Sequence, residues 1–188
     1  IVGLYAKKHV IKKNNESLKV DFFHIGAMDW QPNQEGVNWI TNEVFPKVKQ
    51  KQKSAEIHLA GRGMPKSMIN QKQKGCFNHG EVSNAIDFMQ QHKIMTVPLF
   101  SGSGIRVKII QGMAIGKCII STSIGAKGIL CTNEKNILIA DTKNEFINAM
   151  IFCMNNPNQV DKIGKEAKKF ANKNFSKDSI TKQLRKII

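Results

Sequence analysis

The stretch 96–128, TVPLFSGSGIRVKIIQGMAIGKCIISTSIGAKG, gathers residues that can hold an anion. Ser101, Gly102, Ser103 and Gly104 make a turn of small residues, where backbone N–H groups are left facing outward. Arg106 and Lys108 add fixed positive charge directly behind it. Two positions apart on a helix, Arg106 and Lys108 point about 200° from one another. Both reach one phosphate only if Arg106 lies in a distorted first turn. If one serves, the expectation is Arg106, for its fork of donors and its place nearest the turn, with Lys108 left to a neighbouring surface. The bland alternative is helix capping with no ligand.

These residues need a strand before them and a helix behind them. The apolar run 94–99 reads as a buried strand, and Ile105, Val107, Ile109, Ile110, Met113 and Ala114 supply the apolar face of a helix. Gly116 ends that helix, and 118–122 reads as the next strand. A strand, small-residue turn, helix and strand form a βαβ unit, which sets bare amides and the positive end of a helix dipole beyond a strand's carboxyl end. Phosphate is the chemistry such a place accepts.

The remaining chain repeats the alternation. Residues 20–25 read as a first strand containing His24, expected to be a packed core histidine. A loop at 28–33 leads to a helix over 34–48, with Val37, Ile40, Val44 and Val48 down one face. A strand at 55–60 ends in the tight turn Gly61-Arg62-Gly63, a short helix spans 64–71, and 75–82 is strand and turn. Ser83 is expected to cap the next helix, with Phe88 and Met89 inward. A strand at 136–140, a helix stopping before Pro157, a helix over 160–172 and an amphipathic helix over 176–188 complete the chain. About six strands alternating with helices predict an α/β fold, a doubly wound parallel sheet of Rossmann-like type.

The wording of the central stretch carries more than its spacing. GSGIRVKIIQGMAIGKCIISTSIGAKGI resembles the donor-binding segment of GT-B glycosyltransferases, in the large retaining family often called family four. The helix there usually reads K-x-x-E-A-M-A-x-G-K-P-V-I-S-T, followed by G-A-E-G-I. Met113-Ala114, Gly116-Lys117, Ile120-Ser121-Thr122 and Gly125-Ala126 with Gly128 match in register. HIGAMDWQPNQEGVNWI at 24–40 is similar to a subgroup carrying G-x-x-x-W-x-P-N-x-E-G-V/I, which brings in Gly26 and leaves Trp30 expected to pack. Many members carry a diphosphate-contacting lysine where this chain has Glu35. The resemblance implies that Arg62 faces the diphosphate, with a solvated turn arginine as the alternative, and that Gly80, Glu81 and Val82 lie at the nucleobase edge. It also marks two acidic positions, occupied here by Gln111 and, eight places back, Ser103. Neither is a carboxylate, and Gln111 loses the charge-assisted strength a carboxylate would bring to ribose hydroxyls.

The family implies a function. The chain would be the nucleotide-sugar-binding half of a hexosyltransferase-type enzyme that passes a sugar from an NDP-sugar to a glycan or lipid-linked acceptor with retention. Such enzymes are thought to use no protein nucleophile. Arg106 and Lys108 would supply charge at the departing β-phosphate, helped by Arg62 and the amides of Ser103 and Gly104. Residues 1–19, with Val2-Gly3-Leu4, would be the remnant of an interdomain connection, 20–175 the donor domain, and 176–188 a helix packing toward an absent N-terminal acceptor domain. Alone, the chain should bind donor and catalyse little.

Composition sets the outer limits. The chain has 188 residues, enough for one well-buried domain. Its 29 Lys and Arg against 14 Asp and Glu give a net charge of +15. The lysines are spread along helices and tails without interleaved aromatics, so nucleic acid is not expected as a partner, whereas an anionic membrane surface remains open. Four scattered cysteines without a C-x-x-C pair suit a reducing cytosol, and no paired carboxylates or histidines stand at ligand spacing, so no metal or other cofactor is expected. The expected location is cytoplasmic, with the inner face of a membrane as a peripheral site. The competing readings are a catalytically weak or non-enzymatic nucleotide-binding module, a sugar-nucleotide epimerase of the same architecture, and a basic protein of nucleic acid or membrane surfaces.

Overall fold

The structure, a computed structural model, describes residues 20–177 together with 179 and 181. The expected connection at 1–19 lies outside the described residues, as does most of the helix expected at 176–188.

Six strands form one sheet: β1 (Phe22–Ile25), β2 (Ile57–Ala60), β3 (Cys76–Gly80), β4 (Ile94–Val97), β5 (Cys118–Ser121) and β6 (Leu138–Ile139). Every pairing is parallel, in the order β3-β2-β1-β4-β5-β6. The central strands read FFHI, IMTV and CIIS, and every residue in them is buried. Such sequences are apolar on both faces because helices cover both sides of a parallel sheet. The strand order reverses between β1 and β4, which opens a crevice beyond their carboxyl ends.

The first helical region begins earlier than the sequence suggests. Helix α1 spans Gln31–Trp39, with Pro32 in its first turn, where a missing N–H costs nothing. Instead of one regular helix to residue 48, a π-helical turn occupies Ile40–Val44 and α2 runs Phe45–Lys51 with Pro46 in its first turn. Pro46 cannot donate into the helical ladder, so the chain widens ahead of it, and Thr41 Oγ1 donates to the Val37 carbonyl at 2.9 Å. Val37, Ile40, Val44 and Val48 still reach the core.

Helix α3 (Lys66–Ile69) is shorter than expected, and α4 (Ala85–Gln91) is capped by Asn84 rather than Ser83. The Asn84 side chain accepts from the Ile86 and Asp87 amides at 2.9 and 3.3 Å, leaving Ser83 outside the turn. Helix α5 (Val107–Ala114) buries Ile109, Ile110 and Met113, but Ile105 and Val107 do not join that face and stand 44% and 41% exposed. They precede or begin the helix, so their direction is not set by its period. Helix α6 (Ser123–Ala126) follows β5, α7 (Lys143–Asn155) carries a Thr142–Glu145 capping box, and α8 (Pro157–Phe175) closes the described chain.

Two apolar layers sandwich the sheet. Phe22, Ile57 and Ile94 meet α1, α2 and α7 through Val37, Phe45 and Phe146. Phe23, Met95 and Ile119 meet α4, α5 and α8 through Phe88, Met113 and Ala167. Alternate residues of one strand thus serve opposite layers, the expected doubly wound arrangement.

Candidate functional site

The loops following β1, β2, β3 and β4 converge at the carboxyl edge of the sheet because parallel strands end together. Each is tied to the next through its backbone. Gly26 N donates to the Ala60 carbonyl at 3.2 Å, Met28 N to Arg62 at 2.7 Å, and Gly61 N to Gly80 at 2.7 Å. A Cβ on Gly61 would collide with the Gly26 carbonyl, so this close approach requires glycine. Gly26, Arg62 and Gly80 therefore share the edge predicted for them. Glu81 is exposed there and Val82 half-buried.

Beyond β4 the chain turns through Ser101–Gly104, all exposed, with φ of +101° at Gly102 and +83° at Gly104. Positive φ at both positions lets the chain double back before α5. Arg106 then takes the N-cap place of α5 with extended backbone, φ −81° and ψ 94°. The backbone at Arg106 is therefore not helical, so the helical period does not set its direction relative to Lys108. Its side chain folds back over the turn, donating through Nη1 to the Ser103 carbonyl and, at 2.6 Å, to that of Gly104. The guanidinium lies over the Trp30 ring, 5.2 Å from its centroid. Trp30 packs as expected, and what it packs on includes this cation.

Arg106 is 7% exposed, and its Nε and Nη2 atoms are buried without a hydrogen-bond partner. Helix α5 likewise has no side-chain cap at its N-terminus. An arginine edge presenting Nε and Nη2 is the geometry that binds a phosphate or carboxylate through two parallel bonds. Unpaired buried donors of a charged group are costly, and a bound anion would satisfy them together with the open amides of the helix start.

Lys108 goes elsewhere than the expected neighbouring surface. It turns inward beneath the β1 loop, donating to Asn33 Oδ1 at 2.7 Å and standing 3.4 Å from His24 Nε2. Burial lowers its pKa to about 7, and the Arg106 charge adds to the shift. His24 is fully buried and packed as expected. Its Nδ1 bonds the Thr96 carbonyl at 2.8 Å, a contact that requires Nδ1–H and leaves Nε2 as an acceptor toward Lys108. Burial first and the Lys108 charge second hold its pKa well below the ordinary histidine value, against the pull of the Thr96 bond. Asn33, 4% exposed, completes the chain by donating from Nδ2 to the Ala27 carbonyl at 2.7 Å. The sequence places Asn33 only in a loop. Its place in W-x-P-N was the available signal.

Arg62 is paired with Asp29 at 2.9 Å, both side chains more than half exposed. It lies at the rim, where such a pair contributes little to stability. Gln111, one turn beyond Lys108, is half-buried. The loop after β4 is held from below by Ser121 Oγ, which donates to the Val97 carbonyl at 3.2 Å, and by Thr122 Oγ1, which donates to that of Leu99. The arrangement can bind an anion at the carboxyl edge between β1 and β4, with one cation in the loop above it and a second, weakly basic one beneath.

A family model described as Glycosyl transferases group 1 matches residues 19–156. Among curated proteins, the chain is 22% identical over 167 residues to an uncharacterized 44.6 kDa protein in the cps region of Klebsiella pneumoniae, covering 83% of this chain and 42% of that protein. Among solved structures, a variant of S. aureus TarM in complex with fondaparinux, alpha-GlcNAc-glycerol and UDP superposes with a TM-score of 0.78 at 19% identity, covering 97% of this chain and 38% of that one. Anabaena HepE in complex with UDP-glucose gives 0.70 at 13% identity, covering 90% and 48%. The C-terminal domain of LpcC, a glycosyl transferase group 1 family protein from Francisella tularensis, gives 0.64 at 11% identity, covering 93% and 97%. The chain thus spans less than half the length of the Klebsiella, TarM and HepE proteins but nearly all of an isolated C-terminal domain.

Proposed function

The chain belongs to the glycosyl transferases group 1 family, and from that premise we propose that it is the donor-binding half of a retaining glycosyltransferase. The single observation that carries this reading is Arg106. Its Nε and Nη2 are sealed from water and unpaired, at the uncapped start of α5, in the crevice where the strand order reverses. Support for a nucleotide-sugar comes from the neighbours, since HepE was solved with UDP-glucose and the pneumococcal O-GlcNAc transferase GtfA with UDP and GlcNAc.

On this reading the diphosphate lies against Arg106 and the amides of Ser103 and Gly104. The nucleoside extends toward Gly80, Glu81 and Val82, and Gln111 meets ribose hydroxyls. Arg106 faces the β-phosphate, where negative charge grows as the sugar leaves, and its clamp on Trp30 and the turn fixes it before substrate arrives. Lys108 sits one layer deeper and gains a proton when the anion binds, adding charge where it is needed. The acceptor hydroxyl attacks from the same face as the departing diphosphate, whose oxygen takes its proton. The acceptor site, and the rest of the enzyme, would come from a second domain, and transfer needs no metal.

Calorimetric titration with UDP, GDP and ADP and with their parent nucleosides tests the proposal. One diphosphate is expected to bind, and Arg106→Ala should weaken it by about 1.5–3 kcal/mol while leaving the nucleoside unchanged. Equal diphosphate affinity in the variant would sink the assignment. A non-catalytic binding module is the reading favoured by Gln111, where a carboxylate is usual. It predicts the same binding without transfer in the parent protein.

A further inference from the structure

A second cluster of functional side chains lies on the α4 face of the sheet, over β2 and β3 and the connection before β4. It is invisible in the sequence because its members are 21 and 13 residues apart, on three different elements: His58 on β2, His79 on β3 and His92 between α4 and β4. Each offers a ring nitrogen, and these atoms all lie within 4.8 Å of one another. Among the described residues, this is the group of metal-ligating side chains that comes together in threes. Strand alternation sends Phe77 and His79 to this face and Cys76 and Asn78 to the other, so the donor set is purely imidazole.

We propose that His58, His79 and His92 bind a divalent transition-metal cation of the zinc class, tying the edge strand β3 to β2 and to the α4–β4 connection.

The independent observation is the state of His92. It is 7% exposed, and its Nδ1 bonds Asp21 Oδ2 at 2.6 Å, which makes Nδ1–H the donor and leaves a lone pair on Nε2. That Nε2 is buried and has no hydrogen-bond partner. A buried nitrogen lone pair with no donor is a defect in a core, but it is what a metal requires. The carboxylate behind the opposite ring nitrogen is the usual support of a zinc-bound histidine, fixing tautomer and orientation. Asp21 is itself held by the Lys93 amide at 2.7 Å.

The other two rings meet the same need. His58 Nδ1 lies 3.0 Å from His79 Nε2, so these nitrogens already share a proton or can exchange it for a cation. His58 stacks on His92 with centroids 4.2 Å apart and on Phe77 at 4.8 Å, which restrains its ring. Tetrahedral bonds of about 2.0–2.1 Å put ligand nitrogens about 3.4 Å apart, a contraction that side-chain rotation can supply. His79 is exposed, giving the cation an entry path and a solvent-facing fourth position. Imidazole-only sites suit zinc, copper and nickel and do not suit magnesium or calcium.

The test is titration of the chain, purified without a polyhistidine tag, with Co²⁺ followed by Zn²⁺. One equivalent of Co²⁺ should produce visible d–d bands without the thiolate-to-cobalt charge-transfer band that the four cysteines would give, and Zn²⁺ should displace it. His79→Ala changes an exposed side chain, so the fold should survive, and it should weaken Co²⁺ binding at least tenfold. His58→Gln should do the same, and the melting temperature of the unaltered chain should rise with Zn²⁺. Absence of saturable one-to-one binding, a thiolate band, or less than tenfold loss in a folded His79→Ala variant would overturn the proposal.

Discussion

At the scale of single residues, Lys108 is the group whose chemistry differs most from its sequence label. As a surface cation it would be inert to pH, but burial has brought its pKa from 10.5 to about 7. The unfolded chain then binds more protons than the folded one between about pH 7 and 10.5, so the Lys108 contribution to stability rises with pH across that window. Below pH 7 both states are protonated, and the full penalty of burying the charge is present. Denaturant midpoints measured from pH 6 to 10 should show this rise in the parent chain and lose it in Lys108→Met. A bound diphosphate favours protonated Lys108, so affinity should fall above about pH 7 relative to Lys108→Met, whose profile keeps only the ligand's own titration. Parallel profiles in the two proteins would place Lys108 outside the anion's field. The residues themselves were legible: Arg106 and Lys108 stood out by charge and spacing. Their partners were not, because the fold of Arg106 onto Trp30 depends on φ and ψ at one N-cap. The Lys108–Asn33–His24 chain likewise joins residues 75 and 84 positions from the lysine.

At the scale of elements, the strands and their order along the chain were readable, since the apolar runs of β1, β4 and β5 and the alternation of β2 leave little else to form. Helix starts were less readable. Helix α1 begins three residues before the start at residue 34 that the sequence suggests, because Pro32 serves a first turn that hydrophobic spacing does not report. The π-helical turn before Pro46 was hidden for a related reason: Val44 and Val48 keep helical spacing through it. What places α1 against the site is Gly36, where an added Cβ would collide with the Pro98 carbonyl. That contact lets the helix carrying Asn33, and the loop carrying Trp30, approach the loop after β4. Gly36→Ala should therefore cost about 1–3 kcal/mol through overpacking, seen as a lower denaturant midpoint with unchanged slope. It should also weaken diphosphate binding, because the Trp30 support of Arg106 moves with α1. A stability loss under about 0.5 kcal/mol would show that α1 can shift without consequence.

At the scale of the whole molecule, the crevice at the carboxyl edge has one wall. Parallel strands bring the Ser101–Gly104 turn to that edge, and the same topology brings a set of apolar side chains that no described residue covers. Ile105 and Val107 flank the start of α5, Ile124 lies in α6 and Leu130 follows it, 44%, 41%, 39% and 89% exposed. Ile105 and the loop after α6 are close, since a Cβ on Gly128 would lie 3.2 Å from Ile105 Cγ1. Exposure of this kind marks surfaces that meet a partner, and the relatives whose length this chain half spans supply a candidate, the remaining domain of the same polypeptide. Domain interfaces of this sort are modest and permit closure over a substrate. Leu130→Glu then separates two outcomes. In this chain, an exposed substitution away from the proposed anion site should change stability and diphosphate affinity by no more than about 0.5 kcal/mol. In the two-domain enzyme proposed above it should lower sugar transfer at least tenfold, because the charged side chain obstructs closure while leaving donor binding intact. Full transfer activity with Leu130→Glu would mean that the second wall closes elsewhere on this domain.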